Sequence, residues 1–231
     1  MWRALLLLLL FVINFATAEE RCGTLEGDTI AFDSSYIFFQ ITYKGVDYWG
    51  GENNKDLAKG CLDPISSVVF VVRYPSFSPP DTNNFFLKRN RGNLGLDVRE
   101  YQGATSSTLR ERLYRHLVGF DIPTDETRLL AVTLFKGSIY DSRLGLYKVK
   151  VPSRGYFRYR EVFWSERNGS VDVLFSCQVF PKAQGTCDQY WFDHRFKIQF
   201  DASYVRGRLS RWRTIRVKSE KLLESFIIRG K

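Results

Sequence analysis

The chain has 231 residues, 44% of them hydrophobic and 16% aromatic, and a formal net charge of +9. Such a chain has ample apolar and aromatic side chains for a self-sufficient core. Its four cysteines and two histidines include no Cys-x-x-Cys spacing and no paired histidine motif, so neither a metal nor a cofactor is expected.

Arg3 precedes an apolar run from Ala4 to Ile13, and Ala16-Thr17-Ala18 supplies the small residues of a cleavage site. Residues 1–18 therefore read as a secretory signal peptide. The run is too short to cross a bilayer, and no later stretch approaches the roughly 18 apolar residues that a spanning helix needs. Residues 19–231 are then expected to form a single β-rich domain, secreted and extracellular. In an oxidising compartment the even set Cys22, Cys61, Cys177 and Cys187 reads as two disulfides. Of the three pairings, Cys22 with Cys61 and Cys177 with Cys187 is favoured because each pair is local, and the second encloses Pro181 and Gly185 in a tight loop.

Tyr36–Tyr43, entered through Ile30 and Ala31, has strand character, and Lys44-Gly45 offers a turn before Val46–Trp49, which predicts a first hairpin. Val68–Tyr74 is a β-branched run closed by Pro75. Residues 50–59 and 76–103 are rich in Asn, Gly and Pro and are assigned to loops. Thr108 with Glu111 forms a capping box, and Leu109, Leu113 and Leu117 ahead of Gly119 predict an amphipathic helix over about 109–118. Strands are expected at Leu129–Phe135, Leu144–Val151 and Tyr156–Trp164. Asn168-Gly169, a favoured type I′ pair, lies between two alternating segments and predicts a tight hairpin. Trp191–Phe200 reads as one strand carrying Phe192, His194, Phe196, Ile198 and Phe200 on a single face. Ser219 ahead of Leu222, Leu223, Phe226 and Ile227, with Gly230 after, predicts a second amphipathic helix. The fold class that follows is mainly β: an antiparallel β-sandwich with one or two short amphipathic helices. Unequal loop lengths argue against an evenly spaced barrel.

The basic excess is concentrated at one end. Residues 151–231 hold 16 Lys and Arg against 8 Asp and Glu, whereas residues 19–150 are balanced at 17 and 17. Arg206, Arg208, Arg211, Trp212, Arg213, Arg216 and Lys218 interleave charge with an aromatic ring, and arginine forks suit sulfate, phosphate and carboxylate groups. As a strand, this segment turns Arg211 and Arg213 one way and Arg216 and Lys218 the other. These seven residues are the candidate binding site; the same density also describes a solvated face that keeps a secreted protein soluble. Asn168-Gly169-Ser170 is a glycosylation sequon at the expected hairpin tip.

Catalytic signatures are missing. The sequence contains no Gly-x-Ser-x-Gly elbow, no His-Glu-x-x-His and no phosphate-binding Gly-x-x-x-x-Gly-Lys. A two-histidine mechanism would need both His116 and His194, which sit at the edge of a helix face and among strand aromatics. The Asp125-Glu126 pair, expected in a solvated turn, and Asp188 with Asp193 are carboxylate pairs whose separation decides their chemistry.

In format the chain resembles the secreted salivary immunomodulators of blood-feeding ticks: a signal peptide, about two hundred further residues, few disulfides, a β-rich pattern and an isolated sequon. Tyr48-Trp49-Gly50-Gly51 and Cys61-Leu62-Asp63-Pro64 are the segments nearest to that format. A lipocalin fits less well, because a Gly-x-Trp in the first strand is missing. The resemblance implies a host-directed immunomodulator. The leading expectation is therefore a secreted, non-enzymatic binding protein whose basic C-terminal surface contacts an acidic extracellular protein or a sulfated glycan, nucleic acid being the less expected partner. The alternatives are a secreted hydrolase or nuclease without a recognisable motif, and a carrier of an apolar ligand.

Overall fold

Period-two alternation is carried by eleven strands in the computed structural model, which describes residues 21–38, 41–46, 59–80, 92–101, 106–119, 124–152, 159–180 and 185–228. The strands are β1 (Arg21–Leu25), β2 (Asp28–Phe32), β3 (Thr42–Tyr43), β4 (Ile65–Arg73), β5 (Asn93–Glu100), β6 (Ile139–Asp141), β7 (Leu146–Pro152), β8 (Tyr159–Arg167), β9 (Ser170–Val179), β10 (Thr186–Asp193) and β11 (Ile198–Val205). Among the described residues three α-helices accompany them: α1 (Ser106–Val118), α2 (Asp125–Lys136) and α3 (Trp212–Phe226). β1 and β2 form a small sheet of their own, and the other nine strands form one antiparallel sheet in the order β3-β4-β5-β11-β10-β9-β8-β7-β6. The expected mainly-β antiparallel class is observed, with two sheets of very unequal size and helices completing the layers.

Both faces of the large sheet are apolar over much of their extent, which is why the chain needs cover on both sides. On one face Phe70, Val72, Leu96, Phe175, Trp191 and Phe200 pack under the β1–β2 hairpin and under Ile215 and Leu223 of α3. Trp191 and Phe200 are fully buried and stacked, their ring centroids 4.8 Å apart; each such ring stabilises the fold by about 2–3 kcal/mol through burial. On the opposite face Val162, Trp164 and Leu174 pack under Leu109, Leu113 and Leu117 of α1, with Leu134 and Phe135 of α2 beside them. The expected leucine stripe is therefore the buried face of α1.

Local chemistry accounts for the clearest elements. Asn168 and Gly169 both have positive φ, as a type I′ turn requires, and they join β8 to β9 with Arg167 opposite Ser170. The disulfides are Cys22–Cys61 and Cys177–Cys187, as expected, and no cysteine is free. Cys177 and Cys187 are cross-strand partners in β9 and β10.

Several expectations are corrected. Leu129–Phe135 is not a strand but lies in α2: Thr124 caps that helix by accepting from the Thr127 amide, and Asp125 and Glu126 complement its positive end. Trp191–Phe200 is not one strand but the β10–β11 hairpin. The Asp193 carboxylate accepts from the Arg195 amide at 2.9 Å, turning the chain, so Phe192 packs against the α1 face while Ile198 and Phe200 pack against the other. The expected loop 76–103 contains β5, whose Leu94, Leu96 and Val98 are buried in the middle of the sheet. Thr108 lies inside α1 rather than capping it. α3 begins at Trp212 rather than after Ser219, whose buried hydroxyl donates within the helix to the Ile215 carbonyl. The first hairpin is also different. Asp33 caps a 3-10 turn at Ser34–Tyr36, and β3 pairs with β4. The expected signal segment 1–18, the strand residues 47–49 and the Tyr48–Gly51 segment lie outside the described residues.

Candidate functional site

The face of the large sheet that α1 covers changes character partway across. Paired residues run Ser176–Asp188–Ser203–Gly95–Val71 across β9, β10, β11, β5 and β4, and the next row runs Leu174–Tyr190–Asp201–Asp97–Val69. A third row carries Phe192, Gln199, Arg99 and Ser67. Besides their apolar members, these rows carry three aspartates, three serines, a glutamine and an arginine, which line a polar bay. A cleft of about 140 Å³ runs along its margin between α1, through Thr108, Glu111, Arg112 and Arg115, and the strand residues Phe192 and Gln199.

The bay is tightly wired yet incompletely satisfied. Arg99 donates through Nε to Asp97 at 2.8 Å, and Ser203 donates to Asp188 at 2.5 Å. The Arg112 guanidinium lies 4.2 Å from the centre of the Tyr190 ring, and His116 stacks on the same ring at 5.6 Å. Arg160 donates to the His116 carbonyl at 2.5 Å. Five buried side-chain polar atoms lack a hydrogen-bond partner among the described residues, and four of them belong to this neighbourhood: Asp97 Oδ1, Asp201 Oδ1, Arg112 Nη1 and Arg160 Nε. A buried unsatisfied polar atom costs about 1–3 kcal/mol, so each of the four is a place where a water or a partner's polar group binds favourably.

Titration behaviour follows from this packing. Burial, and then repulsion from Asp188, push the Asp201 carboxyl up to about 7, against the pull of Arg112. Burial also raises Asp188, opposed by the Ser203 hydrogen bond. Burial followed by the Arg160 and Arg112 charges drives His116 down to about 4, so it is neutral under ordinary conditions. The Tyr190 hydroxyl is raised, first by burial and then by Asp201. Among the described residues no group of three or more His, Cys, Asp or Glu is arranged to hold a metal ion.

The basic residues singled out from the sequence lie elsewhere, on a 3-10 turn (Arg206–Arg211) and α3 rather than on a strand. Most are engaged within the molecule. Arg206 binds Glu161 at 2.7 Å, Arg208 donates to the Gly92 and Asn93 carbonyls, and Arg213 donates to the Leu144 carbonyl at 3.2 Å. Arg216 bridges Asp172 and Glu220, and Lys218 donates to the Pro75 carbonyl at 2.5 Å. Trp212 is a core residue whose indole donates to the Leu144 carbonyl; Arg211 is exposed. His194 is exposed in the β10–β11 turn, away from the α1 element that carries His116. Asn168 is exposed at its hairpin tip.

No protein-family model matches the sequence. No curated protein matches it either. Among solved structures the fold is similar to an immunity protein of the Stenotrophomonas maltophilia type IV secretion system, with a TM-score of 0.62 at 14% identity over 92% of this chain and 94% of that one.

Proposed function

We propose that this protein is a non-enzymatic binding protein that acts outside the cytoplasm in the manner of a secretion-system immunity protein, and that a protein partner seats polar side chains in the bay. The observation that carries this is the concentration of four unsatisfied buried atoms beside an open cleft. A partner that donates to Asp97 and Asp201 and accepts from Arg112 removes that deficit on binding, and desolvated polar contacts of this kind dominate interface energetics. The immunity class is supported by the likeness of fold, which at 14% identity speaks for architecture. An oxidising setting is supported by the two disulfides. Among the described residues no helix is long and apolar enough to cross a membrane.

The test is to recover proteins retained by the immobilised chain from the secreted fraction of its source, then to measure affinity for each purified candidate by calorimetry. Asp201→Asn and Arg112→Met should each weaken the true partner at least about tenfold, the scale of losing one desolvated polar contact. Unchanged affinity in both folded variants overturns the bay as the contact. One observation favours a hydrolase instead: a carboxyl that keeps its proton up to about pH 7 beside a second carboxylate is the raw material of a general acid. The same variant separates the two readings, since a hydrolase loses turnover of a glycan or nucleic acid at Asp201→Asn and a binder has none to lose.

A further inference from the structure

We propose that the partner side chain seated in the bay is a basic one, a lysine or arginine whose charged head lies between Asp97 and Asp201. This rests on the reading of the bay as a protein contact and names the chemistry which that contact takes. Asp97 of β5 and Asp201 of β11 are direct cross-strand partners, and Tyr190 of β10 is the partner of Asp201 on its other side, so the three side chains leave one face of the sheet side by side. Arg99 holds Asp97 through Oδ2, leaving Oδ1 buried without a donor, and Asp201 Oδ1 is in the same position. Tyr190 supplies an independent sign of an occupant. It is only 9% exposed, and its hydroxyl, which feels the charges of Asp201, Asp188, Arg112 and Arg99, carries no hydrogen bond among the described residues. A buried tyrosine hydroxyl ordinarily finds a partner.

Charge selects among the possible donors. The neighbours that act on Asp201 are Asp188 and Asp97 against Arg112 and Arg99, two of each sign, so the charge of an ionised Asp201 is itself uncompensated. Arg160 of β8 donates to the His116 carbonyl and acts on Tyr190 and His116 instead, and His116, driven down to about 4, is neutral. On α1 the cleft margin carries Glu111 and Arg115, of opposite sign. A partner hydroxyl or amide would leave the Asp201 charge desolvated and unpaired. An ammonium or guanidinium neutralises it and has three or five donors for the two Oδ1 atoms and the Tyr190 oxygen, through charge-assisted bonds. Arg112 Nη1, unsatisfied without a partner, then takes a main-chain carbonyl of the same segment.

Such binding is linked to a proton. Burial and Asp188 push the Asp201 carboxyl up to about 7, so below that pH the cation enters only as the carboxyl gives up its proton. Affinity therefore falls about tenfold for each pH unit below about 7 and is level above it, whereas a neutral donor has no such slope.

The test is titration of the full, isotope-labelled protein with blocked tripeptides, acetyl-Gly-Lys-Gly-amide and acetyl-Gly-Arg-Gly-amide, against the Gln and Glu peptides of the same form, reading the carboxyl carbon resonances of Asp97 and Asp201. At pH 8 at least one basic peptide should saturate both resonances and bind at least about tenfold tighter than the Gln peptide. Its affinity should fall about thirtyfold between pH 8 and pH 5.5. Asp201→Asn should cut that affinity at least about tenfold and flatten the profile. Equal affinity of the Gln or Glu peptide, a flat profile in the wild type, or no shift at the two carboxyls each overturns the cation. The contact reading fails separately, by unchanged affinity of the recovered partner in Asp201→Asn and Arg112→Met. A partner weakened by those substitutions while the Gln peptide matches the basic ones keeps the bay as the contact and removes the cation from it.

Discussion

Asp201→Asn should stabilise the protein at neutral and alkaline pH while leaving it nearly unchanged at about pH 4. The Asp201 carboxyl has an ordinary value of 3.8 and is pushed up to about 7 in the folded chain. Between those values the folded state holds a proton that the unfolded state has released, so stability falls as pH rises from about 4 to about 7 and levels off above. The gap of about three pH units corresponds to about 4 kcal/mol, an upper bound on what the charged carboxylate costs the native state. Asparagine has nearly the same volume and carries no charge, and its amide can donate to the unsatisfied Asp97 Oδ1.

The wild-type profile alone does not isolate this effect. His116 is held down to about 4 from 6.5, so it contributes stability that grows as pH rises through that interval, opposite in sign to Asp201. Asp97, Asp188, Arg99, Arg112 and Arg160 face the same bay in both proteins. The quantity to measure is therefore the difference in unfolding free energy between variant and wild type, from urea denaturation at half-unit steps from pH 4 to pH 8. It should rise from near zero to about 2–4 kcal/mol. A pH-independent difference, or a variant less stable than wild type at pH 8, refutes the argument. A variant that is more stable yet binds its partner less well is what a site kept unsatisfied for function requires.

Replacing Cys177 and Cys187 together by serine should cost about 2–3 kcal/mol by thermal denaturation, because the bridge closes a short loop between paired strands. Non-reducing peptide maps should contain both disulfide-linked pairs, and recovery of any alkylated cysteine refutes that. Arg216→Leu should cost about 2–3 kcal/mol and speed hydrogen exchange in α3, since it strips charge-assisted partners from Asp172 and Glu220, each 19% exposed. Arg211→Ser should reduce retention on heparin at unchanged melting temperature if the exposed part of the basic segment contacts anions; Arg208→Ser should lower the melting temperature, because its guanidinium ties the Gly92 and Asn93 carbonyls. Protein made in a eukaryotic secretory pathway should lose mass when treated with an N-glycan amidase, through modification at exposed Asn168, and an unchanged mass refutes it.

Elements governed by neighbours in the chain were legible in the sequence. Asn168-Gly169 demands positive φ at both positions and therefore names its own hairpin. Leu109, Leu113 and Leu117 recur at helical spacing, so the buried face of α1 follows without knowledge of its partner. Where local pattern and tertiary context disagreed, context won. The Leu129–Phe135 run is rich enough in apolar residues to pass for a strand, yet a Thr124 cap and packing against α1 make it helical. β5 has plain alternation at Leu94, Leu96 and Val98, but flanking Asn and Gly residues masked it.

The bay shows a deeper limit. Asp97 and Asp201 face one another only because β5 and β11, far apart in the chain, pair in this register. A shift of two residues would place Asp97 opposite Gln199 or Ser203 and leave no carboxylate pair, and a shift of one would turn β5 over altogether. Reading along the chain groups residues that are close in sequence, so the arginines between 206 and 216 stood out together. Those arginines are spent largely on carboxylates and carbonyls of their own molecule, because a dense basic segment laid on a folded surface finds acceptors there first. The aspartates stayed inconspicuous because each is the ordinary polar member of an alternating strand. Their meaning comes from three strands bringing them side by side at the margin of α1, where packing shelters them from water without supplying enough donors.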